Sequence, residues 1–253
     1  MFEPMAVAML PRDRDAAVRK VQSFFVTCRE QLLRDGTAPS KHVGGVVPDN
    51  PFASVVGADG SRELIAMQGR VHIEPPPAPG FTLVIKHNAA FAALLPKLSA
   101  TGRVLAIVRH PLSVLASWNS VDLPVRAGRI PAGEHFDAEL AAALDQAKNP
   151  LRRQLLVLEW FFSRFSRLLP DGDVLRYEDM IATQGARLRT MAGVRGTTIT
   201  RLSERNANPL YPRTLVPQLV EALGSQVGSW QRWYPTETIE PLAQRMLANR
   251  GNP

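Results

Sequence analysis

The chain has little of several residue types, and each shortage excludes a class of protein. It contains a single cysteine, Cys28, which excludes a disulfide scaffold and a cysteine-built metal site. No apolar run reaches the roughly 18 residues of a membrane-spanning helix. The N-terminus also lacks the basic start of a signal peptide. We therefore expect a cytoplasmic protein with no transmembrane segment.

Histidine and tyrosine are also scarce, and the few that occur form no recognisable metal or nucleic-acid motif. The histidines show no close metal-ligand spacing, so we expect no metal; they are His42, His72, His87, His110 and His135. Only three tyrosines are present, and the arginines are dispersed along the chain. These features argue against nucleic acid as a partner, although a pI near 10.2 keeps a basic nucleic-acid-binding protein as an alternative.

What the chain does contain is a large apolar fraction and an excess of positive charge. Its 253 residues are 45% hydrophobic, which suits a single domain spanning 1–253 with a sizeable core. The formal net charge is +7, and 25 of the 30 basic residues are arginine. A basic surface favours anionic partners such as nucleic acid, a membrane surface, nucleotides or phosphate esters. The alternative is that the arginines reflect coding bias alone.

The spacing of apolar residues predicts alternating helices and strands. Apolar runs predict strands over 81–86 and 103–109, and a third strand with its exit loop over 173–179. Helical periodicity predicts helices over 15–35, 89–98, 138–148, 151–169 and 180–192, and one that opens at His110-Pro111. The stretches 36–80 and 119–148 are otherwise predicted to be irregular. This alternation indicates an α/β fold of three layers, with a mainly parallel sheet between helices.

Polar side chains follow each predicted strand. Lys86-His87 ends the first strand, Arg109-His110 the second, and Tyr177-Glu178-Asp179 the third. Ligands of open parallel sheets bind beyond the carboxyl ends of the strands, so these clusters are candidates for one site.

The second cluster has the pattern of a phosphate site. In IVRHPLSVLASW (107–118), Arg109 ends a strand, Pro111 opens a helix, and Ser117 follows two turns later. The planar guanidinium, the serine hydroxyl and the free amides of the helix N-terminus can converge on one phosphate. The alternative is an arginine that caps a neighbouring helix and a serine that only packs.

The acidic residues of the third cluster have a simpler interpretation. Glu178 and Asp179 are expected to cap the following helix and to pair with Arg176.

The Arg-His-Pro and serine pattern resembles the 3′-phosphate motif of sulfotransferases that use 3′-phosphoadenosine 5′-phosphosulfate (PAPS). Other segments are similar to that family in the same order: VIKHNAAFAALLPKL (84–98), LRYEDM (175–180) and VGSWQRWYPTETIEPL (227–242). The resemblance implies a P-loop-NTPase-like sheet, PAPS as the sulfuryl donor and no metal.

The resemblance also implies roles in binding the donor. Arg109 and Ser117 would hold the 3′-phosphate, and Tyr177 would approach the nucleotide unless it is simply a tyrosine at the edge of the core. Arg205 and Asn206, in the ERNAN stretch, lie where the family has a loop near the 3′-phosphate.

One element of the family is not found in this sequence. Its first strand leads into a loop of the type Pro-x-Ser-Gly-Thr-Thr, which binds the 5′-phosphosulfate, and no such run occurs here. No Gly-Lys-Ser/Thr run occurs either, which argues against an NTPase or kinase. Phe2-Glu3-Pro4 resembles the segment that follows this unit in carbohydrate-type sulfotransferases. We therefore expect the first strand and loop to be missing, through a late start assignment or a shortened protein.

The resemblance implies in-line sulfuryl transfer, which needs a base for the acceptor hydroxyl and a cation for the leaving oxygen. Glu3 resembles the Glu-Pro carboxylate that is the base in the carbohydrate branch. His87 is the alternative base, near the histidine position of the cytosolic small-molecule branch, with a helix cap as its simpler role. Lys86 could stabilise the leaving oxygen.

The sequence thus predicts an enzyme that sulfates a hydroxyl of a carbohydrate, glycolipid or small molecule. The two irregular stretches would form the walls of the acceptor site. The main alternative is a catalytically inactive sulfotransferase fold that binds a nucleotide or a partner.

Overall fold

Helices make up most of the chain in the computed structural model, which describes residues 3–194 and 201–249. Ten α-helices are assigned there: α1 (Arg14–Asp35), α2 (Asn88–Leu98), α3 (Pro111–Trp118), α4 (Pro131–Glu134), α5 (Ala138–Gln146), α6 (Pro150–Leu168), α7 (Tyr177–Ala182), α8 (Ala186–Ala192), α9 (Val216–Gly224) and α10 (Ile239–Ala248). Short 3₁₀ turns connect several of them. The predicted helices are therefore found with boundaries shifted by a few residues, except the one over 180–192.

Two small sheets complete the described fold. The strands β1 (Thr37–His42) and β2 (Met67–His72) form an antiparallel ribbon. The strands β3 (Ala106–Val108) and β4 (Val174–Arg176) pair in parallel, with Val108 opposite Arg176. The α/β class is confirmed and one sheet is parallel. The three-layer, mainly parallel sheet is not confirmed, because the parallel sheet has only two short strands among the described residues.

The β1–β2 ribbon lies within the stretch 36–80, which was predicted to be irregular. The prediction was wrong there because β1 contains Pro39 and β2 contains Gly69. Proline and glycine in a sequence argue against a central strand. A two-stranded ribbon has only edges, and an edge tolerates proline. The buried Ala38 and Ser40 alternate with more exposed neighbours, as expected for a strand with one covered face.

The predicted strand over 81–86 does not form. Residues 81–85 belong to no strand, although Ile85 is buried and the Glu3 N–H donates to the Lys86 carbonyl at 2.9 Å. An apolar run becomes a strand only where a neighbour offers a matched row of backbone groups. No described strand lies beside this segment.

Proline and left-handed residues set the boundaries of the helices that follow the parallel strands. Pro111 occupies the first position of α3, where its missing N–H costs nothing.

The predicted helix over 180–192 is instead two helices. Gln184, at φ 48°, and Gly185, at φ 75°, are both left-handed and separate α7 from α8.

The parallel strands lie in the main hydrophobic core. Buried side chains of α3, α6, α9 and α10 surround them, including Leu115, Leu158, Leu219 and Leu242. Trp230 is buried in this core, and Trp118 and Trp233 pack against it. The carboxyl ends of β3 and β4 are thereby held side by side on a packed base.

Candidate functional site

Two of the predicted clusters meet at the carboxyl end of the parallel sheet. Arg109 follows β3 directly and Tyr177 follows β4, and the parallel register brings the two chain exits to one edge. The Arg109 guanidinium carbon lies over the Tyr177 ring, 4.7 Å from its centroid. This distance is typical of a cation–π contact.

The loop that contains Arg205 and Asn206 closes over Arg109. The Arg109 Nε donates to Asn206 Oδ1 at 2.7 Å, and Nη2 donates to the Arg205 carbonyl. The Arg205 N–H donates in turn to the Tyr177 hydroxyl at 3.1 Å. Arg205 contributes its backbone to these contacts, while its side chain is exposed. The structure thus brings together Arg109, Tyr177, Arg205 and Asn206.

The hydrogen bonds that hold Arg109 occupy only some of its N–H donors. A guanidinium has five N–H donors, and two of those on Arg109 have the acceptors just described. The other three have no protein acceptor in the described part of the chain. This group can therefore offer a fixed fork of donors to an anion such as a phosphate.

Ser113 and Ser117 lie one turn apart on the same side of α3, but they differ in burial and in what they contact. Ser117 is half-buried and lines the same cavity as Arg109. Ser113 is fully buried, and its hydroxyl donates to the Asn206 carbonyl at 3.0 Å. Ser113 was missed by the sequence analysis because its role depends on a loop 93 residues further along the chain.

The candidate catalytic residues form a second group. Glu3 Oε2 lies 2.6 Å from Lys41 Nζ, and Glu3 has a left-handed backbone at φ 39°. The Gln68 side chain donates to the Glu3 and Met5 carbonyls at 3.3 Å each. Glu3 is therefore held firmly, and an uncommon φ held by its surroundings is often found at functional sites.

His87 fixes this segment rather than capping α2. Its Nε2 accepts from the Met5 N–H at 3.0 Å, and it makes no side-chain cap to α2. Burial lowers the pKa of His87 to about 4. The ring is therefore neutral at pH 7, with one nitrogen engaged by Met5. Desolvation by the surrounding protein also lowers the pKa of Lys86.

Lys41 was not found from the sequence. It lies in β1, inside a stretch predicted to be irregular, so no strand position marked it. The ribbon brings Lys41 to Glu3, which lies 38 residues earlier. The sequence around Lys41 contains no pattern that would indicate a contact with Glu3.

The Glu178 and Asp179 side chains have different partners. Asp179 forms ion pairs with Arg176 at 2.8 Å and Arg187 at 3.2 Å, which agrees with the expected pairing. Among the described residues, neither carboxylate accepts a hydrogen bond from a backbone N–H of α7, so the expected capping role was wrong. Glu178 instead accepts hydrogen bonds from Asn206 and Tyr234.

A large cavity connects the two groups. Its volume is about 1550 Å³, and Glu3, Lys86, Arg109 and Ser117 all line it. The rest of the lining is largely apolar and includes the exposed side chain of Ile107 in β3. Within the described residues, β3 is paired only with β4, so its other edge has no strand.

Neither a cluster of metal-ligating side chains nor a membrane-spanning helix occurs in the described residues. No group of three or more metal-ligating side chains occurs there. No helix in the same residues is both long and apolar enough to cross a bilayer.

Comparison of the chain with protein-family models, with curated proteins and with solved structures finds no match.

Proposed function

We propose that the chain is a sulfotransferase that moves the sulfuryl group of PAPS to a hydroxyl of an acceptor. The observation that carries the proposal is the setting of Arg109. Its guanidinium is fixed at the carboxyl end of a parallel strand by Asn206, Arg205 and Tyr177, and it retains free N–H donors. This arrangement suits the 3′-phosphate of the nucleotide, and Ser117 could add a hydroxyl from α3.

The residues proposed for the 3′-phosphate, Arg109 and Ser117, match the donor better than those available for its sulfate-bearing end. The sequence has no Ser-Gly-Thr-Thr loop for the 5′-phosphosulfate. Lys86 lines the same cavity as Arg109 and could bind the leaving phosphate. The cavity beside the free edge of β3 has room for the sulfate-bearing end of the donor and for the acceptor.

In this proposal Glu3 is the base. The oxygen Oε2 is engaged by Lys41, while Oε1 has no protein partner among the described residues. The acceptor O–H gives its proton to Glu3 as its oxygen forms a bond to sulfur. The bond from sulfur to the bridging phosphate oxygen breaks, and 3′-phosphoadenosine 5′-phosphate (PAP) leaves with that electron pair. Lys86 stabilises the negative charge on PAP.

His87 is a weaker candidate for the base. Its Nε2 already accepts the Met5 N–H, so in the neutral ring Nδ1 carries the proton and neither nitrogen has a free lone pair for the acceptor proton. Its contacts support a positioning role for the segment that carries Glu3.

The cavity wall favours an acceptor with an apolar part. In the described part of the chain, six phenylalanines line it: Phe25, Phe52, Phe91, Phe161, Phe162 and Phe165. Of the three expected acceptor classes, a glycolipid or an apolar small molecule buries more of this surface than a free sugar does.

An inactive nucleotide-binding protein is the second candidate, favoured by the absent phosphosulfate loop. A transfer assay distinguishes the two, with labelled PAPS as donor and octyl glucoside as a probe acceptor. Labelled product supports the enzyme. Binding of PAP without transfer supports the inactive protein, and the absence of PAP binding contradicts both.

Nucleic-acid binding is a weaker proposal. Among the described residues, nine arginines form ion pairs with carboxylates, which reduces the positive charge available to a phosphate backbone: Arg34, Arg103, Arg126, Arg129, Arg164, Arg176, Arg187, Arg232 and Arg245.

A further inference from the structure

The Glu178 carboxylate joins three separate parts of the chain. It lies in the first turn of α7, directly after β4. Its Oε1 accepts from Asn206 Nδ2 at 2.6 Å and lies 3.4 Å from the His110 backbone nitrogen, and its Oε2 lies 2.6 Å from the Tyr234 hydroxyl. The exits of β3 and β4 and the C-terminal region therefore meet at one side chain.

The bond to Asn206 determines which way that amide points. A carboxylate can only accept hydrogen bonds, so it holds the NH₂ end of the Asn206 amide. The oxygen end must then point the other way, where it accepts from Arg109 Nε at 2.7 Å. A flipped amide would place its NH₂ group against the N–H of Arg109, and two donors cannot bond to each other. Glu178 thus selects the one amide orientation that binds the guanidinium.

Tyr234 fixes the carboxylate in turn. Its hydroxyl lies 2.6 Å from Glu178 Oε2 and 3.0 Å from the Val108 carbonyl, and it has one proton to donate. Burial and the neighbouring carboxylate raise the pKa of Tyr234, so the hydroxyl stays protonated. The charged oxygen is the stronger acceptor and receives the proton.

We propose that Glu178 is a positioning residue for the donor nucleotide, because it orients Asn206 and thereby fixes the guanidinium of Arg109. The inference rests on the proposed function for the identity of the ligand. The orientation of Arg109 itself follows from the hydrogen bonds of the protein alone.

A double-mutant cycle tests this chain of contacts. PAP affinity is measured by calorimetry for the wild type, Glu178→Ala, Asn206→Ala and the double variant, with a thermal unfolding curve for each. Glu178→Ala is expected to weaken PAP binding about tenfold. In the Asn206→Ala background the same change is expected to have an effect of less than about twofold, because its target is gone.

Two control variants separate positioning from stability. Asp179→Ala removes the adjacent carboxylate, which pairs with arginines but does not touch Asn206. It is expected to leave PAP affinity unchanged. Glu178→Gln retains an acceptor for the Asn206 amide, and Tyr234 can turn its proton toward the Val108 carbonyl. This variant is expected to recover most of the affinity lost in Glu178→Ala.

A second measurement does not depend on PAP. The hydrogen-exchange rate of the Arg109 Nε–H, followed by NMR, is expected to rise in Glu178→Ala and to stay low in Asp179→Ala. Failure of the folded wild type to bind PAP would contradict the proposed function alone. Unchanged Arg109 exchange in Glu178→Ala, or an undiminished effect on PAP affinity in the Asn206→Ala background, would overturn the positioning role.

Discussion

Arg109 and Asn206 lie 97 residues apart in the chain and share a 2.7 Å hydrogen bond at the edge of the parallel sheet. Asn206 is almost fully buried, although it lies in an otherwise exposed polar stretch. A buried amide that bonds to a half-exposed guanidinium gives the cation a fixed orientation. This contact makes the C-terminal loop part of the candidate nucleotide site.

Asn206→Asp is expected to destabilise the protein in a pH-dependent way. The new carboxylate would lie 2.6 Å from Glu178 in place of a donor, and two like charges in a buried site repel each other. We expect a loss of about 1–3 kcal/mol in the free energy of unfolding at pH 8, partly recovered at pH 5. Urea unfolding at both pH values measures the difference.

Asn208→Asp is the matched control for this variant. The Asn208 Oδ1 accepts from the Leu210 N–H, and an aspartate can accept the same bond. Equal losses in the two variants at pH 8 would contradict the role assigned to the buried Glu178–Asn206 contact.

Changes at Tyr177 are expected to separate the effect of the ring from that of the hydroxyl. Tyr177→Phe retains the face that lies under the Arg109 guanidinium, so PAP affinity should fall no more than about threefold. Tyr177→Ala removes the ring and releases the guanidinium, and affinity should fall about tenfold or more. Calorimetric titration of both variants gives the comparison. Equal losses would show that the ring contributes nothing.

Glu3→Gln is expected to reduce turnover and not nucleotide binding. Removal of a general base commonly costs about 10²–10⁴ in kcat. We expect a fall in that range for sulfuryl transfer to octyl glucoside, with the affinity for PAP unchanged. Asp15→Asn, at an exposed carboxylate on α1, is the control. Full activity in Glu3→Gln would exclude Glu3 as the base and leave His87 as the candidate.

The buried histidines are expected to make stability fall in mild acid. Burial lowers the pKa of both His87 and His110 from 6.5 to about 4. Between these values the unfolded chain binds protons that the folded protein excludes, so stability falls as the pH drops from about 6.5 to 4. The loss is on the order of 3 kcal/mol for each histidine.

Unfolding curves across this pH range test the effect. His87→Gln should reduce the pH dependence, whereas His72→Gln, at an exposed side chain, should leave it unchanged. A slope that does not differ between His87→Gln and the wild type would contradict the assigned cause.

Much of the helical structure could be predicted because its signals are local. The apolar spacing of α1 is complete within the helix, and Gly36 ends it in a left-handed conformation, with φ 66°. A side chain at Gly36 would place its Cβ 2.3 Å from the Ile73 carbonyl oxygen, which explains the glycine. Such boundaries depend on a few neighbouring residues.

The sheets were harder to predict because pairing is not local. The apolar run 81–86 has strand composition but no neighbouring strand in the described structure, while the proline-containing β1 has one in β2. Composition describes one strand at a time and does not determine which segments lie side by side.

In the candidate site too, local features could be predicted from the sequence and long-range contacts could not. Arg109 and Tyr177 could be identified because each follows a recognisable apolar strand. Ser113, Lys41 and Tyr234 could not be assigned a role, because each acts on a residue distant in sequence. The position at the end of a strand can be predicted from sequence, but the contacts that orient the side chain cannot.

The most direct test of the central claim is a calorimetric titration of the chain with PAP. We predict micromolar binding by the wild type and a loss of about 100-fold in Arg109→Ala, because a fork of charged hydrogen bonds to the 3′-phosphate disappears. Arg109→Lys should bind with intermediate affinity, and Arg34→Ala, at an exposed arginine paired with Asp35 away from the cavity, should bind like the wild type. Equal PAP affinity in folded Arg109→Ala and the wild type, or no binding by either, would contradict the account.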